Sequence, residues 1–115
     1  GFLVIQQTDA FVAVDVNSGK YSSKKQPQEI YKKFNLEAAD ALVRQLRLRN
    51  LSGMILVDFI NMKNREDQEE LLAHLRTLAA SDPIETVVID MTPLGIVEIT
   101  RKKTRKPLAE QVGIL

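Results

Sequence analysis

The sequence predicts an α/β protein, with α+β as the alternative class, built as a single mixed β-sheet with two main helices in the order β-β-α-β-α-β-β. Three observations predict this class. Short β-branched runs recur along the chain, two longer segments between them repeat apolar residues with the helical period, and turn-forming residues separate these segments. The 115 residues suffice for one domain with one core, and we find no internal repeat.

Two β-branched runs at the start of the chain predict the first pair of strands. Residues 2–6 and 10–16 are separated by three residues, which favours antiparallel strands joined by a tight turn. Strict alternation in the second run places Asp15 and Asn17 on the face opposite its valines. Residues 18–34 then lose all periodicity and gain lysine, serine and proline, so we expect a long loop there.

The remaining elements follow from caps and periodicity. Asn35 is a good N-cap for a helix over about 36–50, and the apolar run MILVD at 54–58 predicts an interior strand covered on both faces. A second helix is expected to start at Asn64 and to end before Asp82. Two more strands are predicted at 84–90 and 94–101, around a turn at 92–93.

Composition and charge exclude several classes of protein. The sequence has no cysteine, which excludes disulfides and thiol-bound zinc, and no apolar run long enough to cross a bilayer. The net charge of +1 hides two basic stretches, at 20–33 with five lysines against one acid and at 101–106 with no acid. Residues 64–90 are acidic instead. The basic stretches fit solvated loops and a phosphate-binding surface equally well.

Asp15 and Asp58 each follow a run of apolar residues at the end of a predicted strand. A carboxylate in such a position needs a partner if it is buried, and two acids on adjacent strands could converge on one hard cation. Magnesium prefers one or two carboxylates together with water and substrate phosphate. Each aspartate could instead cap a turn or pair with an arginine, and the residues alone leave both interpretations open.

Three stretches of the chain resemble the ribonuclease E/G family. Residues 35–62 (NLEAADALVRQLRLRNLSGMILVDFINM) resemble its most recognisable segment, and 13–20 (AVDVNSGK) is similar to the strand with its first catalytic aspartate. Residues 94–106 (LGIVEITRKKTRK) resemble its closing strand and basic tail. The resemblance covers nearly the whole chain in the right order, interrupted only by the 21–34 loop and the second helix.

This resemblance implies a function. It identifies residues 1–115 as a catalytic subdomain, similar in fold to part of deoxyribonuclease I, that cleaves single-stranded RNA during RNA processing and decay. The products would carry a 5′-phosphate and a 3′-hydroxyl. Asp15 and Asp58 would bind Mg²⁺, with Mn²⁺ as a possible substitute, and Asn17 would assist at the same site. We expect a cytoplasmic protein whose RNA contacts include Lys20, Arg44, Arg47, Arg101, Lys102 and Lys103.

The sequence also departs from the family. Asn61 stands where the family has an aspartate, which lowers the charge near the site by one. The oligonucleotide-binding barrel and the zinc-binding cysteine pair are absent, so we interpret the chain as a fragment that is weakly active or inactive alone. Homo-oligomerisation is expected of the full-length protein and is left open for the fragment. The alternative function is a non-catalytic RNA-binding or assembly module with the same fold.

Other polar residues have simpler interpretations. Asp90 ends an apolar run, but the family has no acid there, so we expect it to cap a turn. His74 is expected to be a half-exposed residue on the flank of the second helix. Arg44, Arg47 and Arg49 could pair with Asp40 or contact RNA phosphate, and the sequence favours neither.

Overall fold

A computed structural model describes residues 3–16 and 27–104. Its elements follow the predicted order β-β-α-β-α-β-β, and the mixed α/β class is confirmed. None of the helices in these two ranges is long and apolar enough to cross a membrane. The elements are β1 (Leu3–Gln7), β2 (Val12–Val16), α1 (Gln28–Leu48), β3 (Gly53–Asp58), α2 (Arg65–Ala80), β4 (Thr86–Met91) and β5 (Ile96–Arg101).

The five strands form one sheet in the order β1-β2-β3-β5-β4. Only β2 and β3 run parallel, because the connection between them crosses over through α1; the other three pairings are antiparallel. The predicted antiparallel pair at the start of the chain is therefore confirmed. The parallel pair lies near the middle of the sheet, and its carboxyl ends open onto the same edge.

Both helices pack on one face of the sheet. That face carries the alternating buried side chains of each strand, among them Val14, Ile55, Val57 and Val97, which join the apolar stripes of α1 and α2 in a single core. The prediction that residues 54–58 are covered on both faces was wrong. Met54 is 47% exposed, and the other outward residues of β3 are partly or fully exposed. A continuous apolar run does not reveal which of its alternating side chains will be covered.

The first helix begins at Gln28, not near residue 36, and the predicted loop over 18–34 was too long at its C-terminal end. Residues 28–34 bury Ile30 and Phe34 only in part, and two adjacent lysines dilute the apolar stripe, so the helical period is weak there. Asn35 does not cap the helix. It lies inside the helix, 0% exposed, where its amide donates to the Ile60 carbonyl at 2.8 Å and accepts from the Ile60 N–H at 3.0 Å.

Asn35 therefore holds the segment that follows β3. We expect Asn35→Leu to lower the free energy of unfolding by about 1–3 kcal/mol, because both backbone groups of Ile60 lose their partner in a partly buried position. Urea denaturation followed by circular dichroism measures this change. Asn61→Leu is the matched control, since Asn61 is exposed in the same segment, and an equal loss in both variants would contradict the assigned role.

The second helix begins and ends as predicted. Asn64 caps it by accepting a hydrogen bond from the Glu66 N–H at 2.8 Å, and the helix ends at Ala80. The connection that follows α2 is fixed to β5 by a buried ion pair, in which Arg101 Nε lies 2.8 Å from Asp82 Oδ2. The Arg101 guanidinium also donates to the Asn50 side chain and to the Leu51 carbonyl, both at 3.0 Å. One side chain thus joins the end of β5 to the connections α1–β3 and α2–β4.

Candidate metal centre

The strand register brings Asp15 and Asp58 side by side. They are Cα partners in the parallel pair β2–β3. Their neighbours Val14, Val16 and Val57 are buried on the helix-covered face, so alternation directs both aspartates to the open face of the sheet. The sequence suggested that each carboxylate would need a partner because of its burial. Both aspartates are exposed, so the cost of burial does not determine their pairing. Two acids 43 positions apart in the chain therefore share one surface.

The two carboxylates lie in a shallow cavity of about 350 Å³ on this open face. Apolar side chains form much of its lining, including Val4, Leu56 and Ile96. Ile96 is also the Cα partner of Asp58 on the other side, in β5. The aspartate pair is thus flanked by apolar residues on both neighbouring strands. Within residues 3–16 and 27–104, no cation neutralises either carboxylate.

The local electrostatics favour an added cation. Partial burial raises the pKa of Asp58 above its ordinary value, and the negative charge of Asp15 raises it further. Both causes disfavour the ionised form of Asp58 in the protein alone. A bound cation would offset the repulsion, so metal binding and ionisation of Asp58 would reinforce each other.

The donor set fits a hard, hydrated cation better than a closed protein cage. No group of three or more histidine, cysteine or acidic side chains in the described ranges could enclose a metal ion. Mg²⁺ commonly binds through one or two carboxylates and keeps water and substrate phosphate in its remaining positions. An exposed aspartate pair on an open sheet offers that arrangement. Asn17, which was expected to assist, and Lys20 lie outside the described residues.

The predicted RNA-contacting residues that lie within the described ranges do not share a surface with the aspartate pair. Arg44 and Arg47 are exposed on α1, in the helix layer that covers the opposite face of the sheet. Lys102 and Lys103 are exposed after β5, near Gly53 at the start of β3. At about 3.3 Å per residue, the length of β3 puts them roughly 16 Å from Asp58. Arg101 is 3% exposed and its guanidinium is used inside the fold, so we leave it out of the proposed RNA contacts.

Two other polar residues have local roles. His74 has a side chain 35% exposed, as expected, and its Nε2 lies 2.8 Å from Asp40 Oδ1. Asp40 thus pairs with α2 rather than with Arg44. Asp90 accepts a hydrogen bond from the N–H of Met91, whereas the turn itself is closed by Thr92, whose hydroxyl accepts from the Ile96 N–H at 3.1 Å.

A second concavity lies beside the aspartate cavity and was not predicted from the sequence. Its signal there was weak, because its residues come from two stretches that are separated in sequence, 61–76 and 90–95. We call this cavity of about 760 Å³ the α2 groove, since it runs between α2 and the β4–β5 turn. One wall is formed by Asn61, Lys63, Arg65, Gln68, Glu69, Leu72 and Arg76, and the other by residues 90–93 and Gly95.

Comparison with known proteins supports the resemblance drawn from the sequence. The model of the Ribonuclease E/G family matches residues 1–104. The chain belongs to the ribonuclease E/G family. It is 41% identical to Ribonuclease G of Salmonella typhimurium over 92% of the chain, and 40% identical to Ribonuclease G of Escherichia coli K12 over 94%. It is 39% identical to Ribonuclease E of Nostoc over 98%.

The chain spans about a fifth of the length of these relatives. It covers 22% of each Ribonuclease G and 16% of Ribonuclease E. The segment shared with both kinds of ribonuclease includes the two strands that carry Asp15 and Asp58. Membership of the ribonuclease E/G family therefore applies to the part of the chain that holds the candidate metal centre.

Proposed function

We propose that this chain is the catalytic subdomain of a magnesium-dependent endoribonuclease that hydrolyses phosphodiester bonds of single-stranded RNA. One observation carries the proposal: in a chain of the ribonuclease E/G family, Asp15 and Asp58 are Cα partners on an exposed sheet face. The relatives are named ribonucleases, which supports RNA as the substrate. A cytoplasmic location and homo-oligomerisation remain predictions.

In this mechanism Asp15 and Asp58 would hold Mg²⁺, and Asn17 would assist at the same site, as the family resemblance implies. Bound magnesium supplies activation of a water molecule as nucleophile and stabilisation of the charge on the scissile phosphate. The open cavity lets an RNA backbone reach the two carboxylates, since both are exposed. Apolar neighbours such as Leu56 and Ile96 present no side-chain donor that would compete for the carboxylates. The products are a 5′-phosphate and a 3′-hydroxyl.

The distribution of cations suggests how RNA approaches. Arg44 and Arg47 lie on the last turns of α1, which ends at Leu48 shortly before β3 begins, so they are near the end of β3 opposite to Asp58. Lys102 and Lys103 also lie toward that end of β3 and could contact only a more distant part of the RNA strand. Lys20 stays a proposed contact through its place in the segment that follows β2.

A chimeric enzyme tests the proposal. Residues 1–104 would replace the matching segment of Escherichia coli Ribonuclease G, and cleavage of a labelled single-stranded RNA would be followed with Mg²⁺ or with EDTA. We expect cleavage with Mg²⁺ only, giving 5′-phosphorylated products that a phosphate-dependent exonuclease degrades. Cleavage that persists in EDTA would contradict metal dependence. A folded chimera that binds RNA without cutting it would support the non-catalytic module instead.

A further inference from the structure

The α2 groove adjoins the aspartate cavity. Gly95 lines the groove, and the next residue, Ile96, lines the aspartate cavity and is the Cα partner of Asp58. Asn61 follows β3 after two residues and faces Gly95: a Cβ added at Gly95 would lie 4.0 Å from Asn61 Oδ1. The two concavities are thus separated by a narrow boundary at Asn61 and Gly95. One end of the groove therefore lies at the end of the sheet that carries Asp58.

The groove carries cations that the fold does not use. Lys63 and Arg65 are exposed, and neither side chain forms an ion pair within residues 3–16 and 27–104. Arg76 differs, because its guanidinium donates to the carbonyls of Val88 and Ile89 and so holds β4 against α2. Lys63 and Arg65 are therefore the groove cations that remain available to a ligand.

The rest of the lining suits a nucleotide. The groove volume of about 760 Å³ lies within the roughly 300–1,000 Å³ range of small-molecule sites. Met91 is partly exposed and adds apolar surface against which a base can pack, whereas Leu72 lies mostly in the core beneath the groove. Glu69 and Asp90 are acceptors for base amino groups, although their charge opposes phosphate. A site with both cations and acceptors fits a nucleotide better than a simple anion.

We propose that the α2 groove binds the nucleotide adjacent to the scissile phosphate of single-stranded RNA, with Lys63 and Arg65 contacting its phosphates. This inference rests on the proposed function, since it takes the aspartate pair as the cleavage site. It adds a substrate subsite at the end of the sheet where β3 ends and the β4–β5 turn lies. The predicted basic residues on α1 and after β5 are not part of it.

Binding measured without metal tests this subsite separately from cleavage. The 115-residue chain carrying Asp15→Asn and Asp58→Asn would be titrated with a short fluorescein-labelled oligoadenylate in EDTA, and fluorescence anisotropy would be measured at several salt concentrations. Lys63→Ala and Arg65→Ala should each weaken binding about tenfold, as expected for a hydrogen bond to a charged group. Each should also reduce the slope of log affinity against log salt by about 0.7. Glu69→Gln should strengthen binding.

Lys33→Ala and Arg49→Ala are the matched controls, since both remove an exposed cation from the helix layer or its end. Equal losses in groove and control variants, or no binding by the parent at low salt, would overturn the subsite. This binding assay does not test the proposed function, which is tested by the cleavage assay with the chimera. Groove-dependent binding in a chain whose chimera does not cut RNA would retain the groove as an RNA-binding site but reject both the nuclease and the position of the groove beside a scissile phosphate. Unchanged melting temperatures would establish that the variants are folded.

Discussion

Asp58→Asn should reduce magnesium-dependent RNA cleavage by the chimera by at least about 100-fold, and Asp15→Asn should do the same. Loss of residues that only support metal ligands typically costs 10–100-fold, so loss of a ligand itself should cost more. Both carboxylates are exposed on the sheet face that the helices leave open, and no cation partner would be left unpaired in the described ranges. The loss of activity should therefore not come from unfolding.

Asp58→Asn should leave the metal-free 115-residue chain as stable as the parent, or more stable, at neutral pH. The pKa of Asp58 is raised in the folded protein, so its ionisation opposes folding at any pH above that raised value. Asparagine removes this cost, and the gain should vanish below the ordinary value of 3.8, where the carboxylate is protonated in both states. Urea denaturation at two pH values measures the effect. Asp9→Asn, in the exposed β1–β2 turn, is the control.

A variant that loses both cleavage and stability would contradict this assignment, because Asp58 would then be a structural residue. A variant that still cuts RNA at the parent rate would also contradict it. The combination of lost activity with retained or increased stability is the pattern expected where a site is optimised for function at the expense of the fold.

Arg101→Ala should lower the free energy of unfolding by about 3–5 kcal/mol, the typical cost of removing one partner from a buried ion pair. The side chains of Arg101 and Asp82 are 2% and 0% exposed, so the Asp82 carboxylate would remain buried without its cation. The Leu51 carbonyl would also lose a hydrogen bond. Thermal and urea unfolding measure the change, with exposed Arg49→Ala as the charge-matched control. A loss no greater than that of the control would contradict the structural role.

The pH dependence of stability provides a further test of the same pair. Burial by itself would raise the pKa of Asp82, but hydrogen bonds from Arg101, the Ile84 N–H and Thr86 outweigh it and lower the pKa. The stabilisation is therefore fully present above the ordinary value of 3.8 and is lost as the pH falls through the lower folded value. Asp82→Asn should flatten this acid-induced loss. Unfolding midpoints measured from pH 6 down to about pH 2 would reveal it, and an unchanged profile would exclude Asp82 as its source.

Much of the fold could be predicted from the sequence because its signals are local. The cap at Asn64 and the alternation of β2 are each visible within a few residues, and both were confirmed. The early part of α1 was missed because residues 28–34 contain few apolar residues with the helical period, and packing on the core rather than local sequence stabilises this part of the helix. Asn35 looked like a cap for the same reason, since its true partner, Ile60, is 25 positions away in sequence.

The same contrast between local sequence signals and contacts between distant residues applies to the candidate site. Asp15 and Asp58 could be named from strand ends and from the family resemblance, but their alignment depends on the register of β2 and β3, which the sequence does not specify. Arg101 looked like part of a basic tail, and only the fold shows that it is buried against Asp82. The α2 groove could not be foreseen, because Asn61, Arg65 and Gly95 meet only after the sheet and α2 pack.

The most direct test of the central claim is paramagnetic line broadening by Mn²⁺ in the 115-residue chain, followed by backbone NMR. We expect the amide signals of Asp15, Asp58 and their strand neighbours to broaden first at low Mn²⁺, and Mg²⁺ in excess to reverse the effect. Asp58→Asn should abolish this selective broadening, whereas Asp9→Asn should preserve it. Absence of broadening at Asp15 and Asp58 up to millimolar metal, or the same broadening in Asp58→Asn, would contradict a metal centre at this pair.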